Sequence, residues 1–228
     1  MTKPVAVLLV AIVLAAGAMP GTAAAGEPSG WAKGAVERAI ALGLVPERLQ
    51  SDYASPISRE QFAELIVQTV FAKEKARGEQ LGLPHWTTDM VLERVIPDFR
   101  FEDADQKHVL LAFLLGYVNG VTETRFAPDR PITRQEAALM LVNAAHLANS
   151  FTYWTRQELG YDDFGQIAAW AKPGVQAAAS LGLMEGVGSR FDHAGYYSRE
   201  QAIVTMLRLY QMNVRIALRG MVPVDPRY

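Results

Sequence analysis

The stretch Ile132-Thr133-Arg134-Gln135-Glu136-Ala137-Ala138 decides the fold, because the chain writes its central motif three times. Ser58-Arg59-Glu60-Gln61 and Ser198-Arg199-Glu200-Gln201 are the other copies. Each begins with a hydroxyl residue, continues with arginine and ends with two residues drawn from Glu and Gln. A hydroxyl followed three positions later by Glu or Gln predicts a helix start closed by a capping box. The apolar residues behind each arginine fall on one helical face: Phe62, Ala63, Ile66, Val67 and Val70; then Ala137, Ala138, Leu141, Val142 and Ala145; then Ala202, Ile203, Met206, Leu207 and Tyr210.

Working outward, a shorter helix is predicted before each capped one. Gly43, Gly116 and Gly182 each follow a leucine and stand where a left-handed stop belongs. Val36 and Ala39, Val109 and Ala112, and Val175 and Ala178 line the face before each stop. The loop to the capped helix carries an aromatic, read here as Tyr53, Phe126 and Phe191, and copies two and three add Gly120 and Gly186. The unit is thus helix, glycine stop, loop, capped helix, and its repetition predicts an all-α array.

The expected organisation is a secretory signal peptide over residues 1–25, a first repeat over 26–71, a helical or irregular link over 72–95, a second repeat over 96–148, a link over 149–160, a third repeat over 161–218 and a tail over 219–228. The signal reading rests on Lys3, the apolar run Val5 to Ala16 and the small residues ending at Ala25. That run is short of the roughly 20 apolar residues of a bilayer span. No membrane span is expected after cleavage.

The chain of 228 residues has no cysteine and a net charge of −2. Disulfides, thiolate metal sites and a cysteine nucleophile are therefore excluded. No basic stripe suggests nucleic acid. His85, His108, His146 and His193 form no recognised metal motif, so neither metal nor cofactor is expected. No nucleophile elbow or phosphate loop occurs, and the chain is read as a non-enzyme.

The repeats resemble S-layer-homology repeats. Copy two carries Gly116-Tyr117-Val118-Asn119-Gly120, Phe126-Ala127-Pro128 and Ile132-Thr133-Arg134-Gln135-Glu136; copy three carries Asp162-Asp163, Trp170-Ala171-Lys172 and Gly182-Leu183-Met184-Glu185-Gly186; copy one carries Trp31-Ala32-Lys33 and Pro56-Ile57-Ser58-Arg59-Glu60. The resemblance implies three repeats about a pseudo-threefold axis, with one helix of each in a central three-helix bundle. It implies secretion to the cell wall and grooves that bind an acidic, often pyruvylated, secondary cell-wall polysaccharide or peptidoglycan-linked glycan. It also implies that the arginine is a main contact. Copy two lacks the tryptophan and copy one lacks the second loop glycine, so not every groove need bind.

The candidate ligand residues are Arg59, Arg134, Arg199, Trp31, Trp170, Asp98, Asp163, Gly120 and Gly186. An arginine at a helix entrance stands against the helix dipole, and a carboxylate ligand would give three such placements a reason. These arginines are expected to face water-filled clefts. The alternative is that they tie down loop carbonyls or an aspartate of the neighbouring repeat. The tryptophans either stack on sugar rings or pack, the aspartates either accept from sugar hydroxyls or hold their own loops, and the glycines serve first as turns. An envelope protein with degenerate grooves that meets other surface proteins, or a small wall hydrolase, are the competing functions.

Overall fold

The computed structural model describes residues 26–82, 87–94, 101–145 and 159–212. The signal segment, Asp98, His85, His146, the Leu83–Trp86 stretch and the C-terminal tail lie outside the described residues. Among those described, the regular elements are seven α-helices and two short 3-10 helices, without a sheet. In chain order they are α1 (Lys33–Ala41), α2 (Arg59–Leu81), α3 (Thr88–Arg94), α4 (Lys107–Leu114), α5 (Arg134–Ala144), α6 (Lys172–Ser180) and α7 (Arg199–Gln211). The fold class is all-α, as the motif spacing predicts.

The three capped helices start where the hydroxyl motif places them. Ser58 Oγ accepts from the Gln61 amide and Ser198 Oγ from the Gln201 amide, while Gln61 and Gln201 reach back to the Ser58 and Ser198 amides. At α5 the Glu136 carboxylate accepts from both the amide and the hydroxyl of Thr133. These bonds satisfy amides that a helix start otherwise leaves without a partner.

The short helices end alike. Gly43, Gly116 and Gly182 have φ of 70°, 74° and 66°. Their amides donate to Ile40, Phe113 and Ala179, and the next amides donate to Ala39, Ala112 and Ala178. This pair of bonds is the Schellman arrangement, and it drives Leu44, Tyr117 and Leu183 into the core beside those alanines.

Packing links the repeats in a cycle. α1 of the first repeat lies on α7 of the third, α4 of the second on α2 of the first, and α6 of the third on α5 of the second. Just before each capped helix, one residue closes the cycle through its backbone. Ile57 donates to Tyr197, Tyr197 donates to Ile132, and Ile132 donates to Ile57, at 2.9, 3.1 and 3.0 Å. Burial is shared between repeats; Phe62, for example, meets the Tyr197 ring edge-on with centroids 6.1 Å apart.

α2 continues well past the end expected for the first repeat, to Leu81, with Gly82 as its left-handed cap. Its extension carries Lys73, whose ammonium donates to the carbonyls of Leu209 at 3.3 Å, Tyr210 at 2.8 Å and Met212. A cation from the extension of α2 thereby caps α7, where free carbonyls carry partial negative charge.

Candidate functional site

The motif arginines turn inward. Arg59, Arg134 and Arg199 are only 5%, 3% and 8% exposed, which corrects the expectation of guanidinium groups facing water. Arg59 Nε donates to the Phe126 carbonyl at 2.9 Å and its Nη2 to Asn119 at 3.0 Å. Arg134 makes the same pair of bonds to Phe191, at 2.8 Å, and Glu185. Arg199 donates through Nη1 to Ser51. Each arginine thus crosses to the loop of the next repeat, with the third reaching the first. A planar fork suits two carbonyls at fixed spacing, which an ammonium does not match. Phe126 and Phe191 also lie under the guanidinium groups of Arg59 and Arg134, 4.8 and 5.1 Å from the ring centres.

The residue after each arginine grips the same neighbour. Glu60 meets His108 Nε2, Gln135 accepts from the Ala168 amide at 3.1 Å, and Glu200 accepts from the amide and hydroxyl of Ser29, both at 2.8 Å. Burial alone would raise the Glu60 pKa, but His108 and Arg48 outweigh it and hold the carboxyl below its usual range.

These contacts fix the register of the loops and correct one alignment. Eight residues before the arginine stand Ser51, Phe126 and Phe191, the three carbonyls that the arginines hold. Tyr53 matches Pro128 and His193 instead, since their carbonyls accept from the amides of Glu200, Glu60 and Gln135. Between these rows sit Asp52, Ala127 and Asp192, all left-handed, with φ of 47°, 58° and 58°.

Asp163 belongs to the loop and not to a ligand surface. It is 1% exposed and accepts from the Phe191 amide at 2.8 Å, the His193 amide at 3.3 Å and His193 Nδ1 at 3.1 Å. Burial works to raise its pKa, yet these bonds bring it down to about 2. Its partner in the second repeat is Asp103, which accepts from the amides of Phe126 and Ala127 at 2.7 and 3.0 Å. The Phe126 amide is the main reason that Asp103 also titrates below its usual range. The repeated strings Phe101-Glu102-Asp103 and Tyr161-Asp162-Asp163 carried this signal.

Gly120 and Gly186 stand where a side chain would collide. A Cβ on Gly120 would lie 2.3 Å from the Thr122 carbonyl oxygen and 2.8 Å from the Phe101 ring, and one on Gly186 would lie 2.5 Å from the Tyr161 ring.

Two grooves open beside the arginines. The first, of about 470 Å³, is lined by Arg59, Gly120, Val121, Arg130, Glu136 and Trp170 among others. The second, of about 180 Å³, is lined by Arg134, Gly186, Val187, Gln201, Arg208 and Trp31 among others. Each is built from all three repeats: an arginine from one, a loop and helix from the next, and a tryptophan from the one after. Trp170 and Trp31 are 54% and 62% exposed, so neither packs as a core residue. Val121 and Val187 are exposed beside them, five residues after the stop glycines. Sequence reasoning missed both valines, together with Arg130, Glu136 and Arg208.

The remaining junction is furnished differently. Arg48 occupies the position of Val121 and Val187, and it pairs with Glu60 at 2.6 Å and with Glu64. No tryptophan stands at the start of α4. Arg199 has Asp52 at 3.9 Å.

Among the described residues, no group of three or more His, Cys, Asp or Glu side chains could hold a metal ion, and no helix is long and apolar enough to cross a membrane.

The S-layer homology domain family matches the chain at residues 102–138 and 160–202. An endoglucanase from Bacillus sp. (strain KSM-635) is 33% identical over 103 residues, which make up 44% of this chain and 11% of that enzyme. The chain therefore spans a small part of the relative's length. The matched segments contain the aspartate strings, glycine stops, loop aromatics and capped arginines of the second and third repeats described above. Residues 102–138 and 160–202 therefore match the S-layer homology domain, a cell-envelope anchoring module.

Proposed function

We propose that the chain is a non-catalytic module of the bacterial cell surface that attaches to the envelope by binding an acidic secondary cell-wall polysaccharide in the grooves between repeats. The carrying observation is the pair of grooves in which an exposed tryptophan faces a buried arginine at a helix entrance. An indole face offers a platform for a sugar ring, and a cation behind it favours an acidic substituent. We read the three repeats as standing about a pseudo-threefold axis with α2, α5 and α7 at the centre, a reading supported by the cyclic helix pairing and the closed triangle of Ile57, Ile132 and Tyr197. In this reading the first repeat is a diverged copy of the other two.

We take the likeness to the Bacillus endoglucanase as shared attachment and not shared hydrolysis, because the alignment covers 11% of that enzyme. A second reading, an envelope protein with degenerate grooves that meets other surface proteins, draws on the junction where Arg48 pairs with both Glu60 and Glu64.

Sacculus pull-down of the secreted chain tests the proposal. Trp31→Ala and Trp170→Ala remove exposed side chains, so the fold should be retained. Each is expected to weaken binding, and the double variant to abolish it, as is stripping the acidic polymer from the sacculi. Full binding by the double variant, or by stripped sacculi, would overturn it.

A further inference from the structure

One wall of the larger groove carries a reactive pair. Asn119-Gly120 is the only asparagine–glycine step in the chain, and both residues line the groove beside Arg59. Asn119 is exposed, and among the described residues its side chain has no hydrogen-bond partner. The Gly120 amide likewise donates to no acceptor there, whereas the next amides, of Val121 and Thr122, are held by the Arg125 carbonyl at 2.8 and 3.2 Å. Gly120 stays bare because Thr122, Arg125 and Phe101 leave no room for a Cβ. A carboxamide thus adjoins an amide nitrogen that neither a hydrogen bond nor a side chain covers.

The backbone carbonyl between the two residues is engaged. It accepts from Nη2 of the buried Arg59 at 3.0 Å. The matching step in the third repeat is Glu185-Gly186, whose carbonyl is held in the same way by Arg134, and in the first repeat it is Pro46-Glu47. Neither glutamate nor proline offers a carboxamide, so the second repeat stands apart.

In an asparagine–glycine step the glycine nitrogen attacks the side-chain carbonyl carbon of the asparagine, a lability that contributes to the scarcity of asparagine in heat-adapted proteins. A C–N bond forms, the C–NH2 bond breaks, and the NH2 group leaves as ammonia with the glycine N–H proton. Water then opens the succinimide ring. Opening at the side-chain carbon gives aspartate. Opening at the backbone carbon gives isoaspartate, in which the main chain runs through the old side chain and the old backbone carbonyl becomes a free carboxylate. No oxidant or reductant takes part.

We propose that Asn119 is a site of spontaneous deamidation, and that its isoaspartyl product puts a covalently attached carboxylate on the Arg59 guanidinium. The oxygen that becomes anionic is the one that Arg59 Nη2 already holds, so the donor is in place for the charge as it forms. A charge-assisted bond then replaces a neutral one and is the stronger of the two. The groove acquires a built-in counter-ion, and its wall gains one backbone atom. The lining therefore changes with the age of the protein. On the glycan-binding reading above, on which this consequence rests, the aged groove attracts an acidic sugar less than the fresh one.

The experiment ages the secreted chain in mildly alkaline buffer, folded and in urea, and follows its tryptic peptides by mass spectrometry. Peptide 108–125 carries Asn119 as its only carboxamide side chain. In the folded chain it should convert an order of magnitude faster than Asn143, which lines the same groove but lies within α5, where the helix engages the following amide. Isoaspartate, counted by isoaspartyl methyltransferase labelling, should form a larger share of the product in the folded chain than in urea, because only the folded chain presents Arg59 to that carbonyl. Asn119 left intact in the folded chain, over a time in which the chain in urea converts, would overturn the proposal. Equal isoaspartate shares would overturn the part given to Arg59. Sacculus binding reads the consequence. Aged wild type should bind severalfold more weakly than fresh, while Asn119→Gln, which cannot readily close the ring, should match its own fresh sample after the same ageing. An equal loss in both would overturn the functional consequence. Failure of the fresh wild type to bind would overturn the attachment reading and leave the modification standing.

Discussion

The guanidinium of Arg59 donates to the carbonyl of Phe126 at 2.9 Å and stacks over that residue's own ring at 4.8 Å, so one side chain grips one residue of the neighbouring repeat twice. Arg134 repeats the grip on Phe191. The motif arginine is therefore a tie between repeats before it is anything else.

It follows that alanine at either site will not be a clean binding variant. Reading the sequence alone, one expects Arg134→Ala to weaken attachment with the helical signal intact. The burial of Arg134 and its bonds across the repeat junction change that expectation. Arg59→Ala and Arg134→Ala should each cost about 3 kcal/mol, because loop carbonyls lose their donors and a cavity opens. Urea unfolding followed by circular dichroism measures this. A loss below ~1 kcal/mol at both sites would show that the ties contribute little.

Ala127 offers the opposite case. It holds a φ of 58° in a row whose other members are aspartates, residues that tolerate the left-handed region better. Ala127→Gly should stabilise the chain by roughly 1 kcal/mol, less the entropy gained by the unfolded glycine. A rise of a few degrees in the thermal midpoint is the expected outcome, and a fall would place the left-handed strain elsewhere in the loop.

Asp163 sets part of the acid limit of the fold. Its folded pKa of about 2 lies below the ordinary 3.8, so its contribution is present above pH 3.8 and is lost as the pH falls toward 2. The amount is on the order of 2 kcal/mol. Asp163→Asn should therefore be less stable than the wild type at pH 6, with the gap closing as the pH approaches 2. A gap that stays constant across this range would mean that the charge of Asp163 does not carry the effect.

Lys73→Met keeps the apolar stem and removes the donor that caps α7. The expected loss is about 1–2 kcal/mol, with faster hydrogen exchange in the last turn of α7 than elsewhere. Uniform acceleration across the chain would indicate a global effect in place of a capping one.

The helix starts, the glycine stops and the inner faces were legible in the sequence because each depends on residues within four positions of one another. Ser58 needs only Gln61, and Gly43 needs only Ile40 and Ala39. What lies between repeats was not legible. Whether Arg134 points to water or to Phe191 depends on a loop 57 residues away. The aromatic of the first loop was read two positions late, as Tyr53, because Ser51 fills the row of Phe126 and Phe191 without resembling them. Asp103 was not singled out because the second repeat has fewer residues between it and Gly116 than the third has between Asp163 and Gly182, so the two aspartates do not align on their stop glycines. The sequence left two readings of the tryptophans, stacking on a sugar or packing, and their exposure depends on how the repeats meet, which no local pattern encodes.

The triangle of Ile57, Ile132 and Tyr197 has a topological consequence. A linear stack accepts another unit at either end, whereas here each unit already spends both of its mating surfaces, and the last one docks on the first. A fourth copy inserted into the gene would find no free mating surface in this cycle. By the same logic the order of the units along the polypeptide matters little to the assembled object. A circular permutant opened between the first and second units, with the old ends joined by a flexible tether, should close into the same object.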